Sequence, residues 1–311
     1  MAETGLQGLP ARLVTEMSRA LAPEFASRSV DLPLPSPTPR PLWLWPNLLS
    51  LDAVIVALLW QQVFASAVSV SLSAAERSGL AFAVWAIYLA DRTLDSWNHA
   101  KLPSARHIFY REHRTLASLL AGFALAAEAV ACCFLSRSVM LAGLALSGLV
   151  AFHFLTVHTR LAFDKRLPKE ISVAAVFAAG VALVPLVKSR FDPSLISAAF
   201  LFAMLCALNC ASVEYGEWQH FGSEQPAQPS TSAVWLTRRL RPVAVAMALV
   251  AVALVVATSG RQLYGGIAAS ALALIWFNQT YARMSADAMR VTADLSLLAP
   301  VLLLLATPYG L

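Results

Sequence analysis

The sequence predicts an all-α polytopic membrane protein with nine transmembrane helices in a single bundle. Three observations carry that expectation. Hydrophobic residues make up 58% of the chain and charged ones only 13%, with a mean hydropathy of +0.65, outside the range of soluble domains. Apolar runs close to the ~20 residues a helix needs to cross a bilayer recur along the whole length. Lys and Arg are also divided unevenly between alternate loops, as they are when basic loops stay on the cytoplasmic side.

The first 44 residues differ from the rest. Arg12, Arg19 and Arg28 are spread among polar residues, and a proline-rich "DLPLPSPTPRP" precedes Trp43 and Trp45. No apolar core follows a basic start, so a cleavable signal peptide is not expected. The composition predicts a cytoplasmic arm and extended linker over residues 1–44, tryptophans at the membrane interface, and a membrane domain over residues 45–311.

The nine runs lie at about 48–72, 78–95, 115–135, 139–157, 170–187, 194–213, 241–258, 262–281 and 292–309. They are of helix length and rich in Ala, Leu and Val, whereas a β-barrel would show ~10-residue alternating segments. With the N-terminus inside, the inner segments hold 4, 5, 4, 3 and 2 basic residues, 18 in all, against 5 outside (Arg77, Arg137, Lys188, Arg190 and Arg261). This places the C-terminus on the outer side. The net charge of +5 then reports sidedness, and no nucleic-acid partner is predicted; anionic lipid or a phosphorylated substrate suits basic inner loops. Cys132 and Cys133 adjoin, Cys206 and Cys210 are one turn apart, and all four read as small buried side chains.

Acids are scarce, so their placement is informative. In "YLADRTLD", Asp91 and Asp95 close the second run, and at i,i+4 they share one helix face about 5–6 Å apart at Cβ. Oxygen ligands at that separation suit Mg²⁺, which binds through one or two carboxylates and completes its shell with water and substrate phosphate. In "NCASVEYGEW", Glu214 and Glu217 are three apart, at the cytoplasmic end of the sixth run. Each pair also reads as a solvated helix end; two pairs at matching depth point to a site.

These stretches resemble the two acid-rich motifs of the UbiA superfamily of intramembrane prenyltransferases, with "DKRLPKE" before the fifth run and "ADLSLLAP" in the ninth as weaker echoes. The resemblance covers about residues 45–309. In the family's first motif, N-D-x-x-D-x-x-x-D, Asp91 and Asp95 fill the last two acids, while Ile87 and Tyr88 stand at the Asn and first Asp. In the second, Gly216-Glu217 stands for the Gly-Asp ending, Val213 occupies the preceding acid's position, and Glu214 is beside it.

The resemblance implies nine helices and transfer of a prenyl group from a prenyl diphosphate donor to a hydrophobic acceptor, with the active site facing the cytoplasm. It implies Mg²⁺ on Asp91, Asp95, Glu214 and Glu217, and a diphosphate held by basic residues. Arg92, Lys101, Arg106, Lys165 and Arg166 are the candidates, with the last two best placed by the "DKRLPKE" match; each also reads as a positive-inside anchor. A diverged, non-catalytic member that binds prenyl lipid or acts as a membrane partner protein is the alternative, favoured by the missing Asn-Asp. Trp85, Tyr88, Trp97, Tyr215 and Trp218 flank the acids as π faces or as interface belt. Asp52, Gln61, Gln62, Glu128 and Asn278 read as helix-to-helix hydrogen bonders, and Asn209, one turn before Glu214, as a substrate contact.

Overall fold

A computed structural model of the protein describes residues 41–96, 105–158, 168–221, 229–258 and 260–301. Lys101, Lys165, Arg166, Trp97 and the arm before residue 41 lie outside the described residues. Those described in the compact unit Trp43–Leu311 are helical, with no strand among them. The helices are α1 (Trp45–Leu48), α2 (Leu51–Ala67), α3 (Ala74–Ser96), α4 (Ala105–Glu112), α5 (Arg114–Cys132) and α6 (Arg137–His158). They continue as α7 (Lys169–Lys188), α8 (Pro193–Phe221), α9 (Thr231–Ala257), α10 (Arg261–Thr280) and α11 (Ala286–Ser296).

Each apolar run falls on one of these helices, α11 taking the start of the ninth. Five, α5 to α9, are long and apolar enough to cross a membrane, and α1 with α2 makes a sixth if that pair, bent by 77°, counts as one span. The bend occurs at Ser50, whose backbone is left-handed with φ 59°. Five charged side chains among its 23 residues keep α3 out of that group, and Asn278 and Gln279 dilute α10.

Helix starts follow local chemistry. Pro193 opens α8, where a missing N–H costs nothing. Ser230 caps α9 by accepting from the Ala233 N–H at 3.0 Å, and Ser285 caps α11 by accepting from Ala288 N–H at 3.3 Å.

Helices α2 and α8 form the centre. Trp60 and Phe202 approach to 4.3 Å between ring centroids, and Trp60 Nε1–H donates to the Leu297 carbonyl at 2.8 Å. Around α8 pack α7, α9, α10 and α11; α2 touches α3, α7, α10 and α11. At Gly266 on α10 an added Cβ would lie 3.0 Å from Pro300 Cγ, so glycine sets that close approach.

The outward surface is apolar. Leu119, Phe123 and Leu125 on α5, Leu144, Leu149 and Phe152 on α6, and Leu249, Val252 and Val256 on α9 are each more than half exposed. A soluble monomer rarely shows apolar surface on that scale, whereas lipid tails are a compatible solvent for it. Helix α5 packs on α3 and α4, and α6 on α7. An open space is left between these four long helices, α3, α5, α6 and α7, on one side of the molecule.

Candidate functional site

That space is a cavity of about 500 Å³, lined by α3, α5, α6 and α7 with Cys210 and Glu214 of α8 behind. Its size is that of a small-molecule site. The walls are apolar and aromatic, with Leu80, Val84, Ile87, Tyr88, Leu146 and Phe177 among them. One end is charged: Asp91 near the end of α3, Lys169 and Glu170 in the first turn of α7, and Glu214 all line it.

Two cations lie in the field of these acids. Lys169 is within electrostatic reach of Asp91, Asp95 and Glu214. Arg106, on the short helix α4, is within reach of Asp91 and Glu217. Burial, helped by the neighbouring Arg92 and Arg290, pushes the Arg106 guanidinium down to about 10. Residues from four helices thus converge on one end of the bundle.

Glu214 faces a second carboxyl. Its neighbour is Glu170, which is 3% exposed, and Ser230 joins the two. The Ser230 N–H donates to Glu214 Oε1 at 2.8 Å, the Ser230 hydroxyl to Glu170 Oε1, and the Ser232 hydroxyl to Glu170 Oε2 at 2.8 Å. Ser230 therefore caps α9 and fastens both acids.

Glu217 is engaged elsewhere. Arg290 of α11, its side chain 3% exposed, donates from Nε to Glu217 Oε1 and bonds Asp287 at 3.2 Å through its Nη1. Gly216 permits that approach, because a Cβ there would collide with the Met289 thioether.

Arg92, next to Asp91 on α3, is buried and donates to the Asn47 carbonyl, lies 3.9 Å from the Asp52 carboxylate, and places its guanidinium 5.7 Å from the Tyr88 ring centroid. Asn47 Nδ2–H in turn bonds Asp52 and, at 3.4 Å, Asp294. Asn209 is buried beside cavity-lining Cys210, and its Oδ1 has no hydrogen-bond partner among the described residues.

The expected Mg²⁺ site can be tested on this donor set. Among the described residues no three His, Cys, Asp or Glu side chains are grouped to hold a metal ion, so the four acids do not form one cage. Glu217 is committed to Arg290, and Glu214 accepts from the Ser230 N–H. Asp91 and Asp95, one turn apart, do fit the mode in which one or two carboxylates hold Mg²⁺ and phosphate supplies the remaining oxygens.

Of the ten residues proposed from sequence, the structure brings Asp91, Asp95, Glu214, Glu217 and Arg106 to one end of the bundle. It ties Arg92 to the α1–α2 corner and leaves Asn209 behind the cavity wall. Lys101, Lys165 and Arg166 are outside the described residues. Lys169, Glu170, Ser230 and Arg290 were missed. Lys169 and Glu170 belong to "DKRLPKE", and Ser230 to "PSTSA", whose serines carry an N-cap signal. No protein-family model, curated protein or solved structure matches this chain.

Proposed function

We propose that the protein is a membrane prenyltransferase of UbiA type, moving a prenyl group from a prenyl diphosphate to a lipid-soluble acceptor. The observation that carries the reading is an apolar cavity whose charged end is lined by Asp91, Lys169, Glu170 and Glu214, with Asp95 and Arg106 within electrostatic reach of that group. Nine spans in one bundle, the N-terminus and the charged end at the cytoplasm, and the C-terminus outside are parts of the same proposal, supported by the 18-to-5 division of basic residues.

The chain's own groups suit the steps. The prenyl body occupies the apolar walls and excludes water from the reacting carbon. Lys169 and Arg106 bind the diphosphate, and their charge counts most as the allylic C–O bond breaks and its electron pair leaves with pyrophosphate. Asp91 and Asp95 would hold Mg²⁺, whose chemistry there is neutralisation of the diphosphate. Tyr88 and Phe177, edge to face at 6.4 Å on the cavity wall, offer π faces to the allylic cation. The acceptor supplies the electron pair of the new bond and loses a proton.

A second reading has its own observation. Ile87 and Tyr88 line the cavity where the family's motif carries Asn and Asp, which favours a non-catalytic protein that binds prenyl lipid. One assay separates the two: purified full-length protein with labelled prenyl diphosphates, Mg²⁺ and membrane lipid extract. The transferase reading expects a Mg²⁺-dependent prenylated product and pyrophosphate, both lost in Asp91→Ala and Glu214→Ala. Binding of the diphosphate without pyrophosphate release at any chain length would leave only the second reading.

A further inference from the structure

Helix α9 begins as an arginine-rich piece and continues as an apolar one. Arg238, Arg239 and Arg241 are all exposed, and Trp235, one turn before them, is 51% exposed. The Arg239 guanidinium lies 4.7 Å from the Trp235 ring centroid, a cation–π contact. Beyond that contact, none of the three guanidiniums has a carboxylate or a hydrogen-bond partner among the described residues. No Asp or Glu occurs between Glu224 and Asp287, so α9 and its flanks supply no counter-ion of their own. Pro242, inside the helix, also brings no N–H to the Arg238 carbonyl four residues earlier.

The rest of this face is apolar and uncovered. Helix α9 packs on α8 and α10 and turns Leu240, Ala244 and Ala251 inward. Val245, Leu249, Val252 and Val256 follow Arg238 and Arg241 at helical spacing and face out, 41% to 83% exposed. Arg241 and Val252 are 11 residues apart, which is about 16 Å at about 1.5 Å per residue. That is about half of the ~30 Å hydrocarbon thickness of a bilayer, the depth of one leaflet.

A basic loop orients a span whichever way its charges point. Here the charges stand on the outward face of the helix itself, directly above a lipid-facing stripe, with an interfacial tryptophan beside them.

We infer that this face of α9 is a site for one anionic phospholipid, with its phosphate held by Arg238, Arg239 and Arg241 and its acyl chains lying along Val245 and Leu249. Guanidinium forks match phosphate oxygens two at a time, and each basic side chain near a membrane surface strengthens binding of anionic lipid severalfold. A headgroup that also carries a hydroxyl, as phosphatidylglycerol does, has the Arg238 carbonyl as an acceptor. A free phosphate would leave the apolar stripe unused. The site is separate from the cavity, since none of these residues lines it.

The test is native mass spectrometry of full-length protein released from phosphatidylcholine bilayers that hold a minor share of phosphatidylglycerol with the same acyl chains. Phosphatidylglycerol should be retained about tenfold above its share of the bilayer. The combined Arg238→Gln, Arg239→Gln and Arg241→Gln variant should bring that enrichment below about twofold, with α9 intact because Gln is a good helix former. Trp235→Leu, which releases Arg239, should lower it about two- to threefold. Arg111→Gln with Arg114→Gln removes exposed charge at the α4–α5 corner and should leave the enrichment intact. If the triple variant melts early in phosphatidylcholine alone, Trp235→Leu and the α4–α5 variant decide.

Absence of enrichment in the unaltered protein overturns the site. So does an equal loss in the α4–α5 variant, because net charge would then do the sorting. Displacement of the lipid by soluble glycerol phosphate would show an anion site with no use for the chains, and a lipid-free dimer that the triple variant splits would give the face to a second copy; either result also overturns it. None of these readouts requires prenyl transfer.

Discussion

The two acidic pairs look alike in the sequence and have different surroundings in the fold. Asp91 lines the cavity from α3, and Asp95 one turn on shares with it the field acting on Lys169. Glu214 and Glu217 diverge: Glu214 turns to the cavity and to Glu170, while Glu217 turns to Arg290 and joins α8 to α11. Spacing puts side chains on one helix face, but the neighbours decide what each can do. Both spacings make side chains neighbours on a helix surface, but what each acid can do is set by the helices packed around it, and α8 has partners on several sides.

The largest effect tests whether Glu217 is a structural partner. Arg290→Met removes the cation from an ion pair in which the arginine is 3% exposed, and breaking one side of a buried pair costs about 3–5 kcal/mol. Unfolding in mixed micelles should show that loss. The double variant Arg290→Met with Glu217→Leu should regain at least half of it, because no charge is then stranded at that contact. If Arg290→Met alone is neutral, Glu217 is not held for structure, and the two pairs are more alike than the fold indicates.

The next effect runs the other way for the first pair. Asp91→Asn keeps the shape and removes the charge at the cavity mouth. Diphosphate binding in the presence of Mg²⁺ should fall about 100-fold, with a smaller loss of stability than Arg290→Met. A loss of stability as large as that of Arg290→Met would assign Asp91 to the framework and erase the contrast.

How much of this was legible depended on range. The helices were readable because an apolar run of spanning length has few alternatives: eight of the nine runs lie largely on one helix, and the ninth meets α11 only at its start among the described residues. The membrane test still separates them, since α3 carries its charges inside the helix and the sequence offers no way to tell a charged span from a charged buried helix. Asp91 and Asp95 were readable because one turn of helix fixes their relation. Glu170 and Ser230 were not, because their meeting with Glu214 needs α7, α8 and the start of α9 brought together, a contact over sixty residues that no local spacing encodes. Glu128 and Gln61 read as ordinary helix-to-helix hydrogen bonders, and only the fold shows that each keeps a buried oxygen without a hydrogen-bond partner among the described residues.

The smallest effect probes the glycine between the two glutamates. Gly216 faces Met289 and Tyr281, and a methyl group there would displace the Met289 thioether and press on the Tyr281 ring at 3.3 Å. A methionine side chain is flexible enough to yield, and alanine is the better helix former by up to about 1 kcal/mol, so Gly216→Ala should cost no more than about 1–2 kcal/mol of stability. The useful readout is where the cost falls. A shift of α11 moves Arg290, so the variant should weaken the Glu217 contact, and its penalty should shrink when combined with the Arg290→Met and Glu217→Leu changes. Diphosphate binding at Asp91 should be unaffected, since the atoms nearest Gly216 belong to Met289 and Tyr281. If Gly216→Ala instead lowers diphosphate binding while leaving stability intact, the second acidic stretch acts on the ligand as one unit, and Glu217 returns to the site beside Glu214.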